Sequence, residues 1–78
     1  MSERINRKQV GEIIIRRREL LGMSSYAVAI ASGVALSSYY AIEKGQANPQ
    51  LSTLLAICRA IHMSLAAFDH VELIIDAS

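Results

Sequence analysis

The stretch from residue 24 to residue 45 places the strongest constraint on the fold of this chain. Glycine stands at positions 33 and 45, and the residues before each of them repeat apolar side chains at helical spacing. Ser24 can cap the first of these helices, because its side-chain oxygen can accept a hydrogen bond from a free backbone N–H group. Gly33 can adopt a positive φ angle at no steric cost and so end that helix and turn the chain. Two short helices joined by a glycine turn form a helix-turn-helix motif.

Hydrophobic periodicity predicts five helices in all. They cover about residues 8–21, 25–32, 36–44, 51–61 and 65–68, with a loop at 46–50. In the first helix, Val10, Ile14 and Leu21 follow one face. The fourth has a broader apolar face, which we expect to pack under the helix-turn-helix; it comprises Leu51, Leu54, Leu55, Ile57, Cys58 and Ile61. In the third helix, Val34, Leu36 or Tyr39, and Ile42 give one apolar face.

The two ends of the chain differ from the helical part. Residues 1–7 are polar and predicted to be a flexible arm, residues 8–69 form the helical domain, and residues 70–78 form a tail. In the tail, Val71, Leu73 and Ile75 alternate with other residues as in a strand. A single strand needs a partner, and the simplest partner is the same strand of a second copy. The alternative to a paired strand is a disordered or helical tail. Phe68 is also predicted to take part in the dimer interface.

Composition narrows the class of protein. A chain of 78 residues is one small domain, and its 53% hydrophobic content is high for that size. We therefore expect some apolar surface to meet a partner, most simply a second copy. Ile15 is expected to meet a partner or the C-terminal segment, and a single exposed side chain is the alternative. No apolar run approaches the ~18 residues of a membrane span, and no signal peptide is evident. With a single cysteine, Cys58, these points favour a cytoplasmic protein.

Basic residues are concentrated near the N-terminus. Residues 1–18 contain six basic and two acidic side chains, a net charge of +4, whereas residues 19–78 contain two basic and five acidic ones, a net charge of −3. Attraction to phosphate groups would therefore come mainly from the first third of the chain and from Lys44. Arg16 and Arg17 are expected to form a solvated face, and contacts with phosphate groups are the alternative.

A set of short motifs carries a family resemblance. They are Arg18, Leu21-Gly22-Met23-Ser24, Val28-Ala29, Gly33-Val34, Ile42-Glu43-Lys44-Gly45 and Asn48-Pro49. In this order and spacing, over about residues 10–68, they resemble the Cro/lambda-repressor-like (XRE) DNA-binding family. The resemblance implies an all-α, five-helix domain whose third helix enters the DNA major groove. It also implies a structural ion pair between Arg18 and Glu43.

The resemblance implies a set of DNA-contacting positions at the starts of the second and third helices and in the loop after them. These are Ser24, Ser25, Tyr26, Ala35, Leu36, Ser37, Ser38, Tyr40, Ala41, Lys44, Gln46 and Asn48. Residues 34–43 contain no Arg, Lys, Gln or Asn, the side chains that usually read base edges. Leu36 and Ala35 could touch thymine methyl groups, and specificity could also depend on DNA shape and on the arm.

These features predict a sequence-specific, DNA-binding transcriptional regulator that acts as a homodimer on an inverted-repeat operator in double-stranded DNA. The alternative is an antitoxin-like or adaptor module with a protein partner such as a toxin, because Ile30 and Leu36 are apolar where the family is usually charged. No catalytic motif or glycine-rich phosphate loop is present, and His62 and His70 have no ligands at metal-binding spacing. We therefore expect no enzymatic activity, no metal and no cofactor.

Overall fold

Four α-helices and one 3₁₀ turn make up the described part of the chain, residues 6–68 of a computed structural model. They are α1 (Arg7–Leu20), α2 (Ser25–Ser32), α3 (Leu36–Glu43), α4 (Leu51–Ala60) and the 3₁₀ turn Leu65–Phe68. Within these residues, no helix is both long and apolar enough to cross a membrane. The predicted all-α fold is confirmed for the described range.

The predicted count of five helices is wrong, because the last element is a 3₁₀ turn. Ser64 does cap it, since its hydroxyl accepts a hydrogen bond from the Ala66 N–H at 3.1 Å. A four-residue segment leaves little room for α-helical hydrogen bonds, and 3₁₀ geometry is usual at this length. The predicted strand in the tail and the predicted flexible arm lie outside the described residues, apart from Asn6 and Arg7.

All four α-helices end in the same backbone motif. The first or second residue after each helix has a positive φ angle: 70° at Gly22, 73° at Gly33, 72° at Gly45 and 52° at His62. After α2, for example, the Val34 N–H donates to the Ala29 carbonyl at 3.1 Å. Such bonds satisfy carbonyl groups that the end of a helix would leave free, and the left-handed residue turns the chain sharply. Glycine signals therefore located three of the four helix ends in the sequence.

The core draws residues from every element. Its buried members are Val10, Ile14, Val28, Ala29, Tyr39, Ile42, Leu54, Ile57, Cys58, Ile61 and Phe68. The predicted core positions Leu21 and Leu51 are instead 37% and 40% exposed. Both stand at helix ends, where the chain leaves the apolar face of the helix. Ile15 is half-buried.

Helices α1 and α3 cross in very close contact. A Cβ atom at Gly11 would overlap the Glu43 carbonyl oxygen and lie 2.7 Å from that of Ile42. Only a residue without a side chain lets the middle of α1 approach the end of α3 this closely. The N-terminal turn of α1 is close as well, since a Cβ atom at Gly45 would lie 2.9 Å from the Lys8 Cα. The orientation of α3 is thereby fixed by the backbone of α1.

Arg17 connects α1 to the end of α4. Its Nε donates to the Ile61 carbonyl and its Nη2 to the His62 carbonyl, each at 3.0 Å. The expectation of a solvated Arg17 is therefore wrong, whereas Arg16 is exposed. The two carbonyls lie at the left-handed turn after α4, and a guanidinium has enough N–H groups to satisfy both.

His62→Gly is expected to raise the free energy of unfolding by about 1 kcal/mol, because a side chain in left-handed geometry is strained and glycine is not. The two carbonyl bonds from Arg17 involve backbone groups of the turn and remain possible. Urea denaturation measures the change.

Ala56→Gly is the matched control, because it introduces glycine at a right-handed position inside α4. It should lower the free energy of unfolding by about 1 kcal/mol. A loss of stability in both variants would contradict the strain assigned to His62.

Candidate DNA-binding surface

A buried carboxylate at the end of α3 joins the first three helices. Glu43 is 9% exposed, and its Oε2 accepts a hydrogen bond from Arg18 Nε at 2.8 Å. The Ser25 hydroxyl donates to Glu43 Oε1 at 3.0 Å. Arg18 also donates from Nη1 to the Met23 carbonyl at 3.0 Å, which holds the loop between α1 and α2. Ser25 is thus a third member of the Arg18–Glu43 contact. Its hydroxyl was predicted to contact DNA, but in the structure it is bonded to Glu43.

This cluster perturbs two ionisable groups. Burial lowers the pKa of Arg18, but the hydrogen bond to Glu43 and its negative charge outweigh burial, so that the pKa is raised overall. Burial also raises the pKa of Tyr39, and the nearby Glu43 carboxylate raises it further. Within residues 6–68, the buried Tyr39 hydroxyl forms no hydrogen bond of good geometry, although Glu43 and Arg18 are close enough to affect its pKa. Folding therefore favours a charged Arg18 and a neutral Tyr39.

The predicted residues of the helix-turn-helix meet near the C-terminal end of α3. The Ser24 hydroxyl caps α2 by accepting a hydrogen bond from the Ala27 N–H at 3.0 Å. Since Ser25 is bonded to Glu43, the start of α2 lies beside the end of α3. The start of α1 is there too, because the Lys8 backbone touches Gly45. We call this group, Lys8, Ser24, Ser25 and Lys44, the basic end.

Helix α3 has a buried face and an exposed face. Tyr39 and Ile42 are buried against the core, at 0% and 3% exposure. The remaining predicted positions of this helix lie outside that buried face: Ala35, Leu36, Ser37, Ser38 and Tyr40 are exposed, and Ala41 is half-buried. We call these six residues the outer face of α3. The Lys44 ammonium lies 6.0 Å from the centroid of the Tyr40 ring and so connects the outer face to the basic end.

A shallow groove separates α3 from the start of α4. Four predicted residues line it, namely Ser37, Ser38, Ala41 and Asn48, and so do Gln50 and Thr53, which the sequence analysis missed. Gln50 precedes α4 without a side-chain capping bond. In the sequence, the available signal for Gln50 was its position directly before the predicted fourth helix. The groove offers hydroxyl and amide groups to a polar ligand.

The other predicted site residues either lie apart from this groove or are buried in the core. Tyr26 and Gln46 are exposed, on α2 and in the loop after α3. Phe68, assigned to a dimer interface, is fully buried in the core of its own subunit, which leaves no part of its side chain for a partner. The other predicted dimer residues, Val71, Leu73 and Ile75, lie outside the described residues.

The described residues include no group of acidic, histidine or cysteine side chains that could hold a metal ion. Cys58 is buried, and burial raises the pKa of its thiol, which disfavours the reactive thiolate.

Comparison with known families shows which family the chain belongs to. A helix-turn-helix family model matches residues 14–68. The chain therefore belongs to this helix-turn-helix family, which is of the XRE type and comprises DNA-binding transcription regulators. It is also 40% identical over 53 residues to an uncharacterized HTH-type transcriptional regulator of Haemophilus influenzae. That match covers 68% of this chain and 54% of the relative, so the chain spans about half of its length.

Solved structures share the fold. The restriction-modification controller protein C.AhdI of Aeromonas hydrophila is 26% identical, with a TM-score of 0.72 over 74% of this chain and 88% of that protein. The clp gene regulator ClgR of C. glutamicum is 25% identical, with a TM-score of 0.75 over 83% of this chain and 84% of that protein. The controller protein C.Esp1396I, solved as a tetramer with its 35 base-pair operator, has a TM-score of 0.75 at 22% identity, over 87% of this chain and 90% of that protein.

Arg18→Met is expected to lower the free energy of unfolding by about 3–5 kcal/mol, because it leaves the Glu43 carboxylate buried without its cation. The double variant Arg18→Met/Glu43→Leu should recover most of this loss, since it removes both charges. Chemical denaturation of the three proteins measures the difference.

Arg16→Met is the control for this series, because Arg16 is an exposed arginine on the same helix. Its effect should stay within about 0.5 kcal/mol. A double variant as unstable as Arg18→Met would argue against an unpaired charge as the cause.

Alkaline pH is expected to destabilise the fold through Tyr39. Because its pKa is raised in the folded protein, the stability it contributes is fully present below its unfolded pKa of about 10 and is lost as the pH rises above that value. The slope is up to about 1.4 kcal/mol per pH unit. Tyr39→Phe should remove this contribution, and it should change stability near pH 8 by less than about 1 kcal/mol, because the lost hydroxyl forms no hydrogen bond of good geometry.

Urea denaturation at about pH 8 and about pH 11 compares wild type with Tyr39→Phe. Tyr26→Phe, at a 58% exposed ring, is the control and should follow the wild type. If Tyr39→Phe lost as much stability as wild type on going to high pH, another group would be responsible.

Proposed function

We propose that this protein binds double-stranded DNA sequence-specifically as a homodimer and regulates transcription at an inverted-repeat operator. Its outer face of α3 would enter the major groove, while the basic end and the loop with Gln46 and Asn48 would meet the phosphate backbone. The observation that carries the proposal is the division of α3 into two faces. Burial of Tyr39 and Ile42 fixes the helix to the core, and this leaves Leu36, Ser37 and Tyr40 exposed.

Charge supports this placement. Arg18 is paired with Glu43, so its charge is offset within the fold, whereas Arg17 keeps its charge but is bonded to carbonyl groups at the end of α4. The exposed cations of the described residues include Arg7 and Lys8 at the start of α1 and Lys44 at the end of α3. The Lys8–Gly45 contact brings these elements together on one side of the outer face of α3. A strip of positive charge beside an exposed helix suits a DNA phosphate backbone.

The homodimer is supported by the apolar alternation of residues 70–76 in the sequence and by the solved neighbour that assembles on its operator as a tetramer. With Phe68 buried, we assign the dimer contact to Val71, Leu73 and Ile75. Two symmetric copies place two α3 helices on successive major-groove faces about one helical turn apart, which is why an inverted repeat is the proposed target.

A second candidate function is protein binding, in an antitoxin-like or adaptor role with a partner such as a toxin. Tyr26 and Ile30 favour it: they lie one turn apart on α2 and are 58% and 64% exposed. An apolar pair of this kind is usual at protein interfaces.

Salt dependence of DNA binding distinguishes the two functions. If DNA binding is primary, affinity for duplex DNA should fall steeply with salt concentration, and Lys44→Gln should weaken binding and reduce the slope of log K against log salt by about 0.9, the share of one phosphate contact. Fluorescence anisotropy with a labelled duplex measures both quantities.

Arg59→Gln is the matched control, because it removes an exposed charge from α4, a helix without predicted DNA contacts. It should leave the salt slope unchanged. Duplex DNA that shows no salt-sensitive binding would count against the proposed function and for the protein-binding alternative.

A further inference from the structure

The outer face of α3 has an unusual chemical character. Its exposed positions are two alkyl side chains, Ala35 and Leu36, two serine hydroxyls and the Tyr40 ring. Glu43, the single charged residue of α3, is 9% exposed and bonded to Arg18 and Ser25, so it is withdrawn from the surface. Nothing on this face can form the paired hydrogen bonds with which amides, guanidinium groups and carboxylates identify bases.

Base pairs differ in what such a surface can detect. Guanine is usually read by the forked donors of arginine, adenine by the amide of asparagine or glutamine, and cytosine by a carboxylate. Thymine presents a C5-methyl group in the major groove, and an alkyl side chain can cover it. Serine hydroxyls can bond to any of the four bases and so discriminate poorly. Among the bases, thymine is therefore the one that the outer face of α3 can distinguish.

Leu36 is the side chain placed to do so. It is the first residue of α3 and 37% exposed, next to the much shorter Ser37 and Ser38. Its side chain is therefore the longest alkyl group on the outer face of α3. The left-handed turn at Gly33 and the packing of Val34 against the core hold the backbone before it. An alkyl group on a fixed backbone can select a methyl group by position.

We propose that this protein reads its DNA half-site through thymine methyl groups, with Leu36 as the main specificity-determining residue and Ala35 beside it. The half-site is accordingly rich in A·T pairs where α3 meets the groove. This inference rests on the proposed function, since it names the base chemistry that the same surface recognises. The serine and Tyr40 hydroxyls contribute single bonds that position the helix.

The experiment has two stages. First, selection from a pool of random duplexes with the full-length protein gives its preferred half-site. Second, each thymine of that half-site is replaced in turn by deoxyuridine, which removes the C5-methyl group and keeps every hydrogen-bonding group. At one or two positions the affinity should fall about fourfold, the change expected for one methyl-sized group that is no longer buried. Uracil at flanking thymines should have no effect.

Leu36→Ala tests the residue itself. This variant should bind the thymine and uracil duplexes equally well, because it lacks the side chain that covers the methyl group. Leu20→Ala is the matched control: it makes the same substitution at a 75% exposed leucine on α1, outside the outer face of α3. It should keep the fourfold discrimination. Thermal unfolding of both variants verifies that each is folded.

The outcomes separate the inference from the function on which it rests. If the selection enriches no sequence, the proposed function fails and the inference fails with it. If a half-site is enriched but uracil is tolerated at every thymine, DNA binding stands and the thymine-methyl proposal is overturned. Discrimination that persists in Leu36→Ala would also overturn it, by assigning the contact to another residue.

Discussion

The Glu43 carboxylate is the interaction on which the arrangement of the first three helices depends. It lies at the C-terminal end of α3, where the helix dipole disfavours a negative charge, and it is largely removed from water. Both costs are offset by one cation and one hydroxyl, supplied by Arg18 of α1 and Ser25 of α2. Since each partner comes from a different helix, α1, α2 and α3 can satisfy this charge only in one relative orientation. The carboxylate acts as a positional constraint more than as a source of stability.

The two faces of α3 follow from that constraint together with the close crossing at Gly11. The crossing brings the backbone of α1 against the end of α3, and the core takes Tyr39 and Ile42. The remaining side of the helix faces outward, next to Lys44 and the start of α2. Affinity and selectivity would then come from different residues: phosphate attraction from the basic end, and base discrimination from the alkyl and hydroxyl groups of the outer face of α3.

The sequence was sufficient to predict the elements whose ends glycine marks. Gly22, Gly33 and Gly45 located three helix ends, and Ser24 located the start of α2, because each has a local and nearly exclusive backbone role. The end of α4 carries histidine at the left-handed position, which no local signal reveals. The 3₁₀ geometry after Ser64 was missed for a similar reason, since a four-residue apolar segment has no period to distinguish helix types.

Side-chain partners across the fold were harder to predict. Arg18 and Glu43 were paired through a family resemblance, but the role of Ser25 depends on the crossing of α2 over the end of α3, which spacing along the chain does not reveal. Arg17 and Arg18 are adjacent in sequence and look equivalent, yet they face different elements in the structure. Phe68 was assigned to a dimer interface together with the fifth helix, whereas the structure buries it in the core of the domain.

Arg17 binds main-chain oxygen atoms at the end of α4, and this has an evolutionary consequence. Because the Arg17 guanidinium binds two carbonyl groups, these hydrogen bonds do not depend on the side chains of the residues that accept them. The link between α1 and the end of α4 therefore places no demand on the side chains at positions 61 and 62, which are constrained instead by the burial of Ile61 and by the left-handed φ angle of His62. Homologous chains could therefore carry glycine at position 62 and keep the link, whereas Arg17 has no equivalent replacement, because an ammonium group lacks the planar fork of the guanidinium.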